Sequence, residues 1–233
     1  MIAASGRRTL LRAGAGVGAG LASAAIVLPG RAQDIRKKRS DEFVSPAEML
    51  MRDNAVLARI LLIYESAMRR LGQGEDIDPA VLEVSARIVL DFIHRHHEKQ
   101  EEELVFPRFK TAGRMVELVN VLAVQHAAGR KLTERIIAAA PQARNRQPRE
   151  AMAPDIQAFV TLYRPHMARK ETDVYPTLRH LVTGDEHQEI ADEMEKTQRQ
   201  AFGADGFEKV AKKVHEIEKT IGLGDLDVFT PKG

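Results

Sequence analysis

From Ser45 onward, apolar residues recur at alternating steps of three and four, and no run alternates in the manner of a strand. A first helix is predicted to open at Ser45-Pro46-Ala47-Glu48, a capping box with proline at the first helical position, and to end near Gly72. Its core stripe is Leu50, Asn54, Leu57, Leu61, Tyr64, Met68 and Leu71, so one amide stands inside an aliphatic face. A second helix starts at Asp78-Pro79 and carries Leu82, Ala86, Val89, Ile93 and His97 to about Val105, where the Phe106-Pro107 pair is expected to close it. A third, over about 114–140, places His126 on its stripe between Leu122 and Gly129. The fourth begins near Pro154, aligns Ile156, Phe159, Tyr163 and His166, and is expected to stop at Tyr175-Pro176. Two more helices, over 185–201 and 205–221, precede a polar tail. Four long amphipathic helices with short connections predict an all-α fold: an antiparallel up-down-up-down four-helix bundle over 45–180, with a C-terminal helical extension over 181–233.

The first 32 residues follow a different pattern. Paired Arg7 and Arg8 precede an uncharged Ala/Gly-rich run and then small residues around Gly30 and Ala32, the layout of an export signal. The segment GRRTLLR resembles the twin-arginine signal. That resemblance implies the twin-arginine export machinery as a partner, a periplasmic location, and passage across the membrane in a folded state, often with a cofactor already inserted. The apolar run is short and diluted by glycine, so cleavage near Ala32 is expected rather than a stable membrane anchor, with 33–44 left as a linker. The alternating Gly14, Gly16 and Gly18 follow no strand, which excludes a nucleotide-binding turn.

Composition changes the picture in one respect. The 233 residues carry 35 Lys and Arg against 33 Asp and Glu, but four of the arginines lie in the signal, so the mature chain has 31 basic residues and is close to neutral. Its basic character is therefore no argument for nucleic-acid or membrane binding. With no cysteine, no disulfide framework is possible.

The candidate chemistry lies in an internal repeat. The stretch HEKQEEELVFPRF from His97 aligns without a gap on HMARKETDVYPTL from His166, each with a histidine ten residues before a proline, an aromatic directly before that proline and a glutamate between. The preceding helices correspond as well, RDNAVLAR around Asn54 matching VQHAAGRK around His126. Two helical hairpins of one pattern thus converge on the same residue types, which solvated charge does not explain. His97 and Glu101, four apart, project from adjacent turns of one helix face and can reach one cation. His97 also has Glu102 at spacing five, which the repeat pairs with Glu171. Glu101 is preferred as the ligand and Glu102 is the alternative.

These residues resemble the hemerythrin-like, HHE cation-binding family over roughly 51–175. The resemblance implies an antiparallel four-helix bundle holding two non-haem irons, oxo- or hydroxo-bridged and joined by two carboxylates. Carried over, it assigns His97, Glu101, His126, His166 and Glu171 as metal ligands. Asn54 stands where the first helix of the family supplies a histidine. Arg130 stands where oxygen carriers have a second one, four residues after His126. The spacing from His166 to Glu171 is five, which turns Glu171 roughly 140° off the histidine face of an ideal helix. A local widening is therefore expected, with Pro165 as its cause. His94 could reach the site if Asn54 leaves a vacancy, Tyr163 could bond to a ligand or to bound oxygen, and His96, His187 and His215 are expected at the surface.

With two histidines replaced, both metals should be more accessible than in an oxygen carrier. The expected function is a periplasmic di-iron protein that binds or reduces oxygen, peroxide or nitric oxide. A non-catalytic iron- or cation-scavenging module and a degenerate mononuclear site are the alternatives, and the residues leave open whether the domain is an enzyme.

Overall fold

A computed structural model describes residues 44–142 and 150–231; the export signal expected over 1–32, and all but the last residue of the linker, lie outside the described residues. Among these residues the chain forms six long helices and no strand. Helix α1 is Pro46–Gly72, opened by the expected box: Ser45 Oγ accepts from the Glu48 N–H while Glu48 Oε2 accepts from the Ser45 N–H. Helix α2 is a composite, running Pro79–Ile88, then a wide π-helical stretch Val89–His97, a short Glu98–Gln100, a second π stretch Glu101–Val105, and finally Phe106–Thr111. Helix α3 is Val116–Ala139. Helix α4 joins Ala153–Arg169, a π stretch Lys170–Val174 and Tyr175–Leu181. The extension supplies α5 (Gly184–Phe202) and α6 (Gly206–Thr220).

The aromatic-Pro pairs, which the sequence pattern predicted would end their helices, do not; both helices continue past them. Proline lacks the N–H for an α turn and its ring clashes with the carbonyl four residues back. Directly before each pair the turn widens instead, with Phe106 N–H donating to the Glu101 carbonyl and Tyr175 N–H to that of Lys170. Pro107 and Pro176 then sit in the first turn of a renewed α-helix, where a missing N–H is harmless. Pro165 lies within regular α-helix, so the widening expected from it belongs to Pro176.

Helix α1 packs on α4, α4 on α3, α3 on α2 and α2 on α1. Their apolar residues form two buried clusters. One gathers Leu57, Ile60, Phe92, Ile93, Ile136 and Phe159; the other gathers Leu50, Val105, Phe106, Leu122, Val174 and Tyr175. Between them, on all four helices, lies a layer of buried polar side chains. The extension is part of this body. Val214, Ile217 and Ile221 enter the first cluster, and Glu218 takes the Arg59 guanidinium in a two-point pair at 2.8 and 2.5 Å. The partly exposed ion pair contributes on the order of 1 kcal/mol, and the three apolar side chains about 1.5–3 kcal/mol each. Apolar contact therefore docks α6.

Within the polar layer, Glu98 ties α2 to α3 and α4. Its carboxylate accepts from Tyr163 OH at 2.6 Å and Arg130 at 3.2 Å, and pairs at 2.9 Å with His94, whose other ring nitrogen meets Thr133 Oγ1 at 2.8 Å. Burial works against this charge, yet the hydrogen bond with His94, the nearby His126 and Tyr163 outweigh it and hold the carboxyl at about 2. The Tyr163 hydroxyl reaches Glu98 by crossing Gly129, where a Cβ would lie 2.0 Å from it.

Gly129→Ala should gain up to about 1 kcal/mol of helix propensity but lose more by displacing a fully packed tyrosine from its buried carboxylate, for a net destabilisation of about 2–4 kcal/mol by urea unfolding. A second expectation concerns acid. Because the Glu98 carboxyl is lowered in the fold, its contribution is complete above the unfolded value near 4.3 and is lost as pH falls from there towards 2. Glu98→Gln should therefore flatten the decline of the urea midpoint below about pH 4.5; an unchanged slope would show that other groups govern acid unfolding.

Candidate metal centre

Glu101 of α2, His126 of α3 and His166 of α4 converge at the centre of the polar layer, all buried, with one potential ligand atom from each within 4.8 Å of the others. The helical stripes bring them there. His126 follows Leu122 on α3, and His166 follows Phe159 and Tyr163 on α4. Each imidazole is held by Nδ1: His126 by Glu102 Oε1 and His166 by Gln125 Oε1, both at 2.9 Å. Their Nε2 atoms are buried; that of His166 makes no hydrogen bond, and that of His126 faces only the Glu101 carboxylate. Fixing one ring nitrogen with an oxygen acceptor, and so freeing the other, is how proteins orient metal-binding histidines. His126 Nε2 lies 3.4 Å from Glu101 Oε2. A cation roughly 2.1 Å from each donor needs donors roughly 3–4 Å apart, so the triad fits one metal with little movement. Two imidazoles and one carboxylate suit a transition metal with open coordination positions.

The electrostatics follow from burial and neighbouring charge. Burial alone would raise the Glu101 carboxyl, but Lys170, His97 and His126 hold it well below the usual carboxylate range. Burial would lower His126, and its bonds with Glu101 and Glu102 raise it instead. His166 is pushed down to about 2 by burial, Lys170 and His126, so it is a neutral donor.

On the other side of Glu101 stands Lys170, which the sequence reading did not single out. It is 1% exposed, and its Nζ lies 2.9 Å from Glu101 Oε2 and 3.0 Å from His97 Nε2. His97 is thus brought to the same carboxylate, but its Nε2 faces the ammonium, while its Nδ1 meets Asp53 Oδ2 at 3.3 Å. The second carboxylate oxygen of Glu101 accepts from Tyr175 OH at 2.8 Å.

The remaining candidates take supporting places. Glu102, half-buried, holds His126 and accepts from Arg130 at 3.0 Å. Arg130 bridges Glu102 and Glu98, and Tyr163 is bound to Glu98. His94 is engaged by Glu98 and Thr133 rather than turned to the triad. Asn54 is fully buried; its Nδ2 donates to Glu171 Oε1 at 3.3 Å and its Oδ1 has no partner. Glu171 itself is only half-buried. His96, expected in solvent, is 5% exposed and packs edge-on against Phe202 of α5. His187 and His215 are half-buried.

Lys170, Asp53 and Gln125 each left a signal in the sequence. Lys170 lies four residues after His166, the spacing that placed Glu101 beside His97, and the π turn starts only at Lys170 itself. Asp53 and Gln125 occupy one repeat position, immediately before Asn54 and His126, and each anchors the histidine of the next helix.

The Hemerythrin HHE cation binding domain matches the chain over residues 45–178. A Mycobacterium tuberculosis protein and a Mycobacterium bovis protein, each described as an uncharacterized protein, are 39% identical to it over 236 residues, covering 98% of this chain and 92% of theirs. No solved structure matches the chain. The match spans more than half of the sequence and includes every helix that contributes to the His/Glu triad, and on that ground the chain belongs to the hemerythrin HHE cation-binding domain family.

Proposed function

We propose that this domain binds iron through Glu101, His126 and His166, inside an up-down-up-down four-helix bundle, and presents it in the periplasm to a small oxidant: oxygen, peroxide or nitric oxide. The observation that carries the proposal is the convergence on Glu101 of two buried Nε2 atoms, that of His166 without a partner and that of His126 with only the carboxylate at 3.4 Å. An imidazole nitrogen buried without a partner is costly, and a metal removes that cost. The bundle topology is supported by the order of the two apolar clusters. The polar layer is entered from Leu50 and left towards Leu57 on α1, entered from Ile93 and left towards Val105 on α2, and the same alternation repeats on α3 and α4.

Iron, when bound, supplies open coordination positions and redox chemistry. The chain's own residues do the rest. Glu102 and Gln125 keep both imidazoles aimed inward, Tyr175 fixes the outer oxygen of Glu101, and the apolar clusters on either side limit access to small molecules. The two-iron, bridged form implied by the family resemblance has free donors for only one of its metals, since His97 Nε2 and one side of Glu101 are engaged by Lys170.

Anaerobic titration with ferrous iron should give a stable complex whose affinity falls more than about 100-fold in His126→Ala, His166→Ala and Glu101→Gln, and about tenfold in Glu102→Gln, which loses only an orienting contact. The loaded protein should consume peroxide or bind nitric oxide. Wild-type affinity in the two histidine variants would exclude this site, and loaded protein inert to all three oxidants would leave a cation store. Location is tested separately: the mature chain should appear in the periplasmic fraction, and changing Arg7 and Arg8 to lysine should keep it in the cytoplasm.

A further inference from the structure

We propose that the Lys170 ammonium occupies the position of a second cation, so that the centre holds one exchangeable metal beside one built-in charge. The proposal rests on the metal-binding reading above and deepens it. Its first ground is geometric. Lys170 Nζ lies at hydrogen-bond distance from both groups that a second metal would need, 3.0 Å from His97 Nε2 and 2.9 Å from Glu101 Oε2. Asp53 takes the Nδ1 side of His97, so the lone pair on Nε2 accepts from the ammonium. The Asp53-His97 pair is the arrangement that orients a metal-binding histidine, with a lysine nitrogen at its end. A metal roughly 2.1 Å from His97 Nε2 would collide with Nζ. At 1% exposure the side chain is enclosed.

The second ground is the repeat. In the ungapped match of the two hairpins, His97 corresponds to His166, Asn54 to His126, and Lys170 to Glu101. One half therefore presents imidazole, imidazole and carboxylate, and its mirror presents imidazole, amide and ammonium. The same frame has been given opposite charge at one matched pair of positions, and these two side chains meet each other at 2.9 Å. Glu101 Oε2 lies between His126 Nε2 and Lys170 Nζ, so this one oxygen faces the triad on one side and a charge that belongs to the chain on the other. Asn54, with no metal to bind, turns its amide to Glu171.

The test is metal stoichiometry, read by titrating the metal-free mature protein with cobalt(II) and, anaerobically, with ferrous iron. Wild type should saturate at one equivalent per chain. Lys170→Ala, which frees His97 Nε2 and one side of Glu101, should accept a second, weaker equivalent. Lys170→Met preserves the volume if the alanine variant does not fold, and it should do the same. His97→Gln should keep the single equivalent, whereas in a two-metal centre it would lose one. Two equivalents in wild type would overturn the proposal and leave the metal-binding reading standing. A Lys170 variant that still stops at one, or loss of the single metal from His97→Gln, would also overturn it. No metal in wild type at all would remove the functional reading and this inference together.

Discussion

The carboxylate of Glu101 is the constraint on which the interior depends. It is wholly buried between two apolar clusters, where an ion loses several kcal/mol of hydration unless opposite charge and hydrogen bonds replace it. Every neighbour answers that need: Lys170 on one side, His126 on the other, and the Tyr175 hydroxyl on the remaining oxygen. These groups come from α2, α3 and α4, with Asp53 of α1 reaching in through His97. The polar layer that divides the core is thus one connected solution to one buried charge. Its His126 side is the less complete, because there the nearest approach to Glu101 is 3.4 Å and the neighbouring His166 Nε2 has no partner.

Helix geometry makes this possible. On a regular α-helix His94, His96 and His97 spread over an arc of about 160°, wider than the face turned to Glu101, so they meet different neighbours. All three lie in the π stretch Val89–His97 and are buried in different places: His94 against Glu98, His96 against Phe202 of α5 and His97 against Lys170. His96 is covered by Phe202 of α5, outside the four-helix bundle, which is why reading α2 by itself put it in solvent. The two later widenings, each ending against an aromatic-Pro pair, keep α2 and α4 continuous past prolines that otherwise mark helix ends.

Much was legible from residue pattern alone. The capping box at Ser45, the six helices and the inward stripes through His126 and His166 follow from periodicity and from strong local signals, and these survive because nothing in the tertiary structure opposes them. Lys170 was not legible for a physical reason. Lysine is almost never fully buried unless paired, so a lysine beside a glutamate reads as a solvated face. Attention to acidic residues in the repeat favoured the Glu102 and Glu171 pairing, whereas the buried pairing is that of Glu101 with Lys170. Spacing four, which selected Glu101, selects Lys170 equally well once the sign of the charge is set aside.

The departures from the family pattern at Asn54 and Arg130 then read as consequences of the same substitution. With an ammonium beside His97, a histidine at 54 would add a donor with no cation to serve, and the amide there joins Glu171 instead. Glu171 lies half-buried, where a carboxylate keeps part of its hydration. Arg130, one turn beyond His126, spans Glu98 and Glu102. It supplies positive charge to both carboxylates, and its bond to Glu102 Oε1 holds the oxygen that orients the His126 ring. Lysine, amide and arginine thus stand where further donors would be, while Glu101, His126 and His166, from α2, α3 and α4, are kept, as the proposed single cation position requires.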